Sequence, residues 1–148
     1  MRAPFQVLVI PYRRHAGCYE FAVLRRADLG WWHFVAGGGE DQETPLQAAR
    51  RETREEIGLD GDLTPLDCVT SVPKDGFADA EFWGPDLYVI PEHAFALDVG
   101  GREITLSPEH NELRWLSYEE ARQAVKWDGN RTALWELQER LLRTRREP

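Results

Sequence analysis

Apolar positions along the chain fall into short runs and alternations, separated by glycine, proline and acidic residues. Residues 5–12 (FQVLVIPY) are rich in β-branched and aromatic side chains and predict a buried strand. Residues 13–17 read as a turn. Residues 18–26 (CYEFAVLRR) alternate well enough to predict a second strand, paired with the first as a hairpin. A loop at 27–30 leads to a short strand at 32–36, which feeds the run Gly37-Gly38-Gly39. Further strands are predicted at 63–72, at 87–90 (where Pro91 interrupts) and at 112–116. Turns are expected at 74–76 and 98–102. Residues 77–86 mix aromatics, acids, Gly84 and Pro85, and read as a mobile loop or a bulged strand entry.

The period changes at Thr44. Thr44 can cap a helix, Pro45 suits the first helical position, and Gln47 completes a capping box. Gly58 supplies the stop signal. Between them Leu46, Ala49, Thr53 and Ile57 form a narrow apolar stripe to bury. Ser117 and Glu120 signal a second capped helix. Asn130 is expected to cap a third, with Leu134, Leu137, Leu141 and Leu142 on its apolar side. The fold class is therefore α/β: an α/β/α sandwich with a central mixed sheet, as one domain over residues 1–148.

Charge adds a candidate site. On the first helix Glu52, Glu55 and Glu56 stand at i, i+3 and i+4, on the flank beside the stripe. Carboxylates so placed repel one another unless a cation sits among them, and Arg51 and Arg54 are too few to neutralise the group. Hard divalent ions, above all Mg²⁺, take such oxygen ligands and keep coordination positions open for water and phosphate. The competing reading is a solvated acidic helix face. The preceding glycines would let backbone approach a ligand closely.

The net charge of −8 argues against a duplex nucleic acid partner. It leaves a small phosphorylated substrate open, because a bound metal inverts the local sign. Cys18 and Cys68 have neither metal-ligand spacing nor a disulfide-rich context, and are expected to be core thiols in the reduced cytosol. With no signal peptide and no bilayer-length apolar run, the expectation is a cytoplasmic protein without membrane association. Six tryptophans, among them Trp31, Trp32, Trp83 and Trp127, offer flat faces on which a base or pterin ring could stack.

Gly37, five residues, Glu43, seven residues, then Arg51-Glu52-Thr53-Arg54-Glu55-Glu56-Ile57-Gly58-Leu59 resembles the Nudix box of the Nudix hydrolases. Every polar position of that pattern is filled. Thr53 departs from the usual aliphatic residue, on the buried stripe. The resemblance implies that Glu52, Glu55 and Glu56 bind Mg²⁺ or Mn²⁺ with help from the Gly37 carbonyl, while Arg51 and Glu43 brace loop and helix. The stretch 107–116 is similar to the E-x-x-E-x-x-W segment of many members. It implies Glu109 as a further ligand or base, ahead of Glu112, with Trp115 in the core.

The catalytic set so implied is Glu52, Glu55, Glu109 and Arg51, with Glu52 the first candidate base and Glu109 the second. The expected reaction is Mg²⁺-dependent cleavage of a phosphoanhydride in a nucleoside or pterin polyphosphate. Trp127 followed by Asn130-Arg131, with Leu24-Arg25-Arg26 and Trp32, resembles the dihydroneopterin triphosphate pyrophosphatases. Residues 104–116 look equally like dinucleoside tetraphosphate hydrolases, although Phe77 falls where that group would favour tyrosine. Arg26, Trp32, Lys74, Phe77 and Arg131 are the candidate substrate contacts. A nucleotide-sensing domain without catalysis is the rival reading, and either a monomer or a homodimer is compatible.

Overall fold

The computed structural model describes residues 1–146. The strands are β1 (Arg2–His15), β2 (Cys18–Arg26), β3 (Trp32–His33), β4 (Val35–Glu40), β5 (Leu63–Pro73), β6 (Val89–Asp98) and β7 (His110–Leu116). The helices are α1 (Pro45–Ile57), α2 (Tyr118–Ala124) and α3 (Asp128–Arg146), and a 3-10 turn covers Ala80–Phe82. The seven strands form one mixed sheet in which β1 and β6 run parallel and the other pairs antiparallel. Long β1 has β6 on one side, and β4 and then β2 on the other.

Alternation along β1 sorts the core into two layers. Val7 and Val9 meet Ala48, Ala49 and Ile57 of α1 on one face. Leu8 and Ile10 meet Ala121 of α2 and Ala133, Leu134 and Leu137 of α3 on the other. The expected α/β/α sandwich is the architecture found. Among the described residues no helix is long and apolar enough to cross a membrane.

Three local expectations change. β6 runs on through Pro91 to Asp98, because the ladder to β1 begins at Glu92 and Pro91 therefore faces a strand on one side only. α3 begins two residues ahead of Asn130, whose buried side chain instead accepts from the Phe34 N–H at 3.4 Å, in the gap between β3 and β4. Cys18 is exposed at the end of the hairpin and Cys68 is partly buried, so neither is a fully buried core thiol. Ala16 and Gly17 both take positive φ, 51° and 80°, as a two-residue hairpin turn between paired His15 and Cys18 requires. The 77–86 segment is tied to the start of β1: Asp79 accepts from the Arg2 N–H at 2.7 Å, and Trp83 Nε1 donates to the Arg2 carbonyl at 2.8 Å.

Glu92 is an acid enclosed in the sheet, and burial pushes its pKa up from 4.5 to about 7. A carboxyl with a raised folded-state pKa stabilises the fold most at low pH, and that contribution is lost as pH rises from 4.5 to about 7. The gap corresponds to about 3 kcal/mol. Denaturant titrations at pH 5 and pH 8 should show this decline in the wild type, and Glu92→Gln should remove the share that Glu92 contributes, leaving the share of buried Glu52 and Glu56.

Candidate active site

α1 carries both of its expected caps. Thr44 Oγ1 accepts from the Gln47 N–H, Gln47 Oε1 accepts from the Thr44 N–H, and Gly58 ends the helix with φ 69°. The buried face differs from the expected stripe. Rows 48-52-56 and 49-53-57 face the sheet together, so Glu52 and Glu56 are buried, while Leu46 is exposed. Glu55 also stays exposed, so one box carboxylate sits at the rim and two lie beneath it.

Gly37 makes the burial of Glu52 possible, and all three glycines lie within strand β4. Gly37 and Gly38 pair with Val7 and Gln6 of β1, and none of the three glycines has positive φ. Their value is the missing side chain. A Cβ on Gly37 would overlap the Glu52 carboxyl, one on Gly38 the Arg2 guanidinium, and one on Gly39 the Phe5 ring. The sharp turn comes later, at Asp41 with φ 46°.

Arg51 holds the strand, turn and helix together. It donates from Nε to Glu43 Oε2 at 2.9 Å, and from Nη2 to Glu43 Oε1 at 3.0 Å and to the Gly38 carbonyl at 2.9 Å. Nη1 reaches Glu52 at 2.8 Å and Glu55 at 3.3 Å. The forked contact to Glu43 is the strong bidentate kind, and it holds the Glu43 carboxyl below its usual range. An open depression of about 690 Å³ lies outside this brace, lined by Glu40, Glu43, Gln47, Arg50, Arg51 and Arg54 among others, but not by Glu52 or Glu56.

Glu56 is 1% exposed, and its two carboxylate oxygens have no hydrogen-bond partner among the described residues. Burial first, then neighbouring Glu52, push its pKa up. Glu52 is raised as well, chiefly by burial and against the pull of Arg51. Two buried carboxyls that resist ionisation together form a site where a doubly charged ion is worth more than a proton. The donor set of hard oxygens and the orphaned Glu56 atoms fit Mg²⁺ or Mn²⁺.

Glu109 arrives from across the sequence. The segment before β7 satisfies carbonyls left open at the end of α1: the Thr105 N–H donates to Ile57 O and the Ser107 N–H to Glu56 O, each at 3.1 Å. That tether sets the turn bearing Glu109 beside α1, where its charge adds to the upward push on Glu56. Glu112 instead pairs with Arg114 at 2.6 Å. Trp115 is half-buried, packed on the α1-side core and covered by the Arg13 guanidinium at 4.1 Å, so it is a rim residue more than a core one.

His33 and His110, for which no sequence motif marks a role, complete the cluster. Their Nε2 atoms are 2.7 Å apart, and His110 Nε2 is 3.6 Å from Glu56 Oε1. Burial lowers both imidazole pKa values, that of His33 to about 3. The two are 77 positions apart. The available signal was the strand alternation that sets His33 on the same face as Val35, toward α1.

The candidate substrate contacts are dispersed. Arg26 pairs with Asp28 at 2.6 Å and acts electrostatically on His33 and His110, so it stands near the cluster. Trp32 packs on the α3-side core, with the Arg114 guanidinium 4.9 Å from its ring centre. Lys74 donates to the Gly84 carbonyl at 3.2 Å, and Phe77 lies tilted against Trp83. Arg131 ties α3 to α2, donating to Val125 O at 2.7 Å and to Arg122 O at 3.2 Å, and it pairs with Asp128. Trp31 and half-exposed Trp127 meet edge to face at 5.4 Å, with Lys126 Nζ 5.1 and 5.9 Å from the two rings.

Comparison with known proteins agrees with this geometry. The family model described as NUDIX domain matches residues 4–135. The chain is 29% identical over 137 residues to the dihydroneopterin triphosphate diphosphatase of Escherichia coli K12, covering 90% of this chain and 91% of that protein. Among solved structures it is similar to a protein of Listeria monocytogenes described as a NUDIX hydrolase, with TM-score 0.86 and 47% identity over 96% and 97% of the two chains. A Caenorhabditis elegans Ap4A hydrolase shares the fold, with TM-score 0.75 at 22% identity over 95% and 98%. With the box complete, its two inner carboxylates buried beside Gly37 and the family model spanning nearly the whole domain, this chain belongs to the Nudix hydrolase family.

Proposed function

We propose that the protein is a Mg²⁺-dependent pyrophosphohydrolase, with Mn²⁺ as an alternative ion, acting on dihydroneopterin triphosphate or a nucleoside triphosphate. The observation that carries this reading is the pair of buried carboxylates, Glu52 and Glu56, with the Glu56 oxygens unpartnered among the described residues. Glu52, Glu55, Glu56 and Glu109, with the Gly37 carbonyl, are the groups that would hold the ion. When bound, it supplies charge neutralisation at the phosphate oxygens and lowers the pKa of water.

The chain's own residues do the rest. Arg51 fixes Glu52 in place and keeps Glu43 and the Gly38 carbonyl in register with α1. Glu52, held beside the cluster by Arg51, is assigned to accept the proton of the attacking water, with Glu109 second. Arg26 and Lys74 are the cations assigned to the phosphate tail. Phe77 and Trp32 are assigned to the flat ring, and Arg131 acts by holding α2 on α3. The 29% identical E. coli relative, matched over nine-tenths of both chains, supports the pterin substrate.

Cleavage of dinucleoside tetraphosphate is the second reading. It is supported by the likeness of residues 104–116 and weakened by phenylalanine at position 77. A screen of nucleoside triphosphates, dihydroneopterin triphosphate, dinucleoside tetraphosphate and ADP-ribose, with and without Mg²⁺ and with products identified by mass, tests the assignment. Pyrophosphate with the matching monophosphate, formed only with Mg²⁺, is the expected result. Binding without turnover of any of them would instead make the chain a nucleotide sensor.

A further inference from the structure

Imidazole nitrogens are absent from the set of oxygen donors assigned to Mg²⁺, yet two of them meet Glu56 below it. His33, Glu56 and His110 are all buried side chains, and each offers a ligand atom within 4.8 Å of the others. We propose that these three residues form a separate nitrogen–oxygen metal site, which takes a borderline first-row ion of the Zn²⁺ or Co²⁺ kind. The proposal shares Glu56 with the reading above but does not depend on turnover.

Three observations point the same way. The Glu56 carboxyl is 98% buried as a side chain, and among the described residues neither oxygen has a well-formed hydrogen bond; the Ala36 backbone and the Glu52 carboxyl act on it without closing one, so the group is under-compensated for its burial. The partner that faces it, His110 Nε2, stands 3.6 Å away, too far for a hydrogen bond and suited to an ion between the two. The His33 and His110 Nε2 atoms stand 2.7 Å apart in a hydrogen bond that an ion would replace, and both lie within 4.8 Å of a Glu56 oxygen, so the three donors line one small space. Two imidazoles on a tetrahedral ion, each about 2.0–2.1 Å from it, hold their nitrogens about 3.3 Å apart. Binding an ion therefore requires the two nitrogens, 2.7 Å apart, to part by about 0.6 Å.

The donor set also decides the kind of ion. Two imidazoles and one carboxylate suit Zn²⁺, Co²⁺ or Fe²⁺, whereas Mg²⁺ prefers oxygen ligands and retains its waters. The site would therefore fill in the presence of excess Mg²⁺. Being buried, it would take a bare ion and not a phosphate-bound one.

Cobalt is the probe. Metal-stripped full-length protein is titrated with Co²⁺ in millimolar Mg²⁺ and followed by visible absorption. The ring ¹⁵N resonances of all four histidines are followed in parallel with diamagnetic Zn²⁺. The expected result is one tightly held ion per chain and shifts at His33 and His110. Affinity should fall about a hundredfold in His33→Gln and in His110→Gln, and should be unchanged in the exposed-site control His15→Gln.

The NMR arm uses the wild type alone, so a variant that fails to fold leaves the test intact. Shifts confined to His15 and His93, or equal affinity in the two His variants and the wild type, would overturn the proposal and show the histidines to be a hydrogen-bonded pair only. Mg²⁺-dependent hydrolysis is assayed separately without cobalt. Turnover without an imidazole-held ion removes this site and leaves the hydrolase assignment standing; an imidazole-held ion without turnover does the reverse.

Discussion

Glu56→Gln should abolish Mg²⁺-dependent turnover, lowering kcat about 10³-fold or more while the protein still folds. The side chain is 1% exposed, and its two oxygens lack hydrogen-bond partners among the described residues, so its negative charge has one evident use: to meet a cation. Losing that charge removes several kcal/mol of metal-held stabilisation, and about 4 kcal/mol corresponds to a thousandfold in rate. Folding should survive, because glutamine matches the shape and brings no buried charge. Without metal the variant should melt no lower than the wild type. Steady-state kinetics across Mg²⁺ concentrations, with thermal melts of both proteins, check this. Near-normal kcat in a folded variant would remove Glu56 from the ligand set.

Gly37→Ala should be nearly as damaging to activity, by a steric route. A Cβ at this position would overlap the Glu52 carboxyl, which must then swing away from Glu56 and from Arg51. A displacement of that size costs about a hundredfold or more when it moves a group that orients reactants. Stability should suffer less, since the displaced atoms are the far end of a flexible side chain and the Gly37 backbone stays extended in β4. The discriminating result is a large fall in kcat with little change in melting temperature. A variant that unfolds instead would mean that Gly37 mainly protects strand pairing.

Much of this arrangement is legible in the chain because local chemistry and tertiary packing agree. Thr44, Pro45, Gln47 and Gly58 each act on backbone within a few positions, so the ends of α1 follow from sequence. The alternation of residues 18–26 gives the limits of β2 without correction. Departures occur where distant groups decide. Nothing near Leu46 shows that the sheet takes Ala48 in its place, and Glu52 has room to turn inward because Gly37 has no side chain to oppose it. Pro91 reads as a strand breaker until β6 is seen to lack a second neighbour at that point. His33 and His110 are silent in sequence, since their encounter depends on β3 and β7 both pairing with the end of β2, His33 opposite Leu24 and His110 opposite Arg26.

The same tether gives the site its economy of parts. α1 supplies the inner carboxylates and the bracing arginine, β4 supplies the space beneath them, and the turn before β7 brings Glu109 to the rim. The helix ends and the Glu109 turn depend on backbone hydrogen bonds, the space beneath on a missing side chain, and the Arg51 brace chiefly on half-buried ion pairs to Glu43 and Glu52. The geometry should therefore tolerate salt better than surface pairs do.

The most direct measurement is the anomalous difference map of a crystal grown with Mn²⁺. The account predicts a peak at roughly 2.0–2.3 Å from carboxylate oxygens of both Glu52 and Glu56. A map with Mn²⁺ elsewhere on the protein, and these two side chains closed on each other with no peak between them, would contradict it.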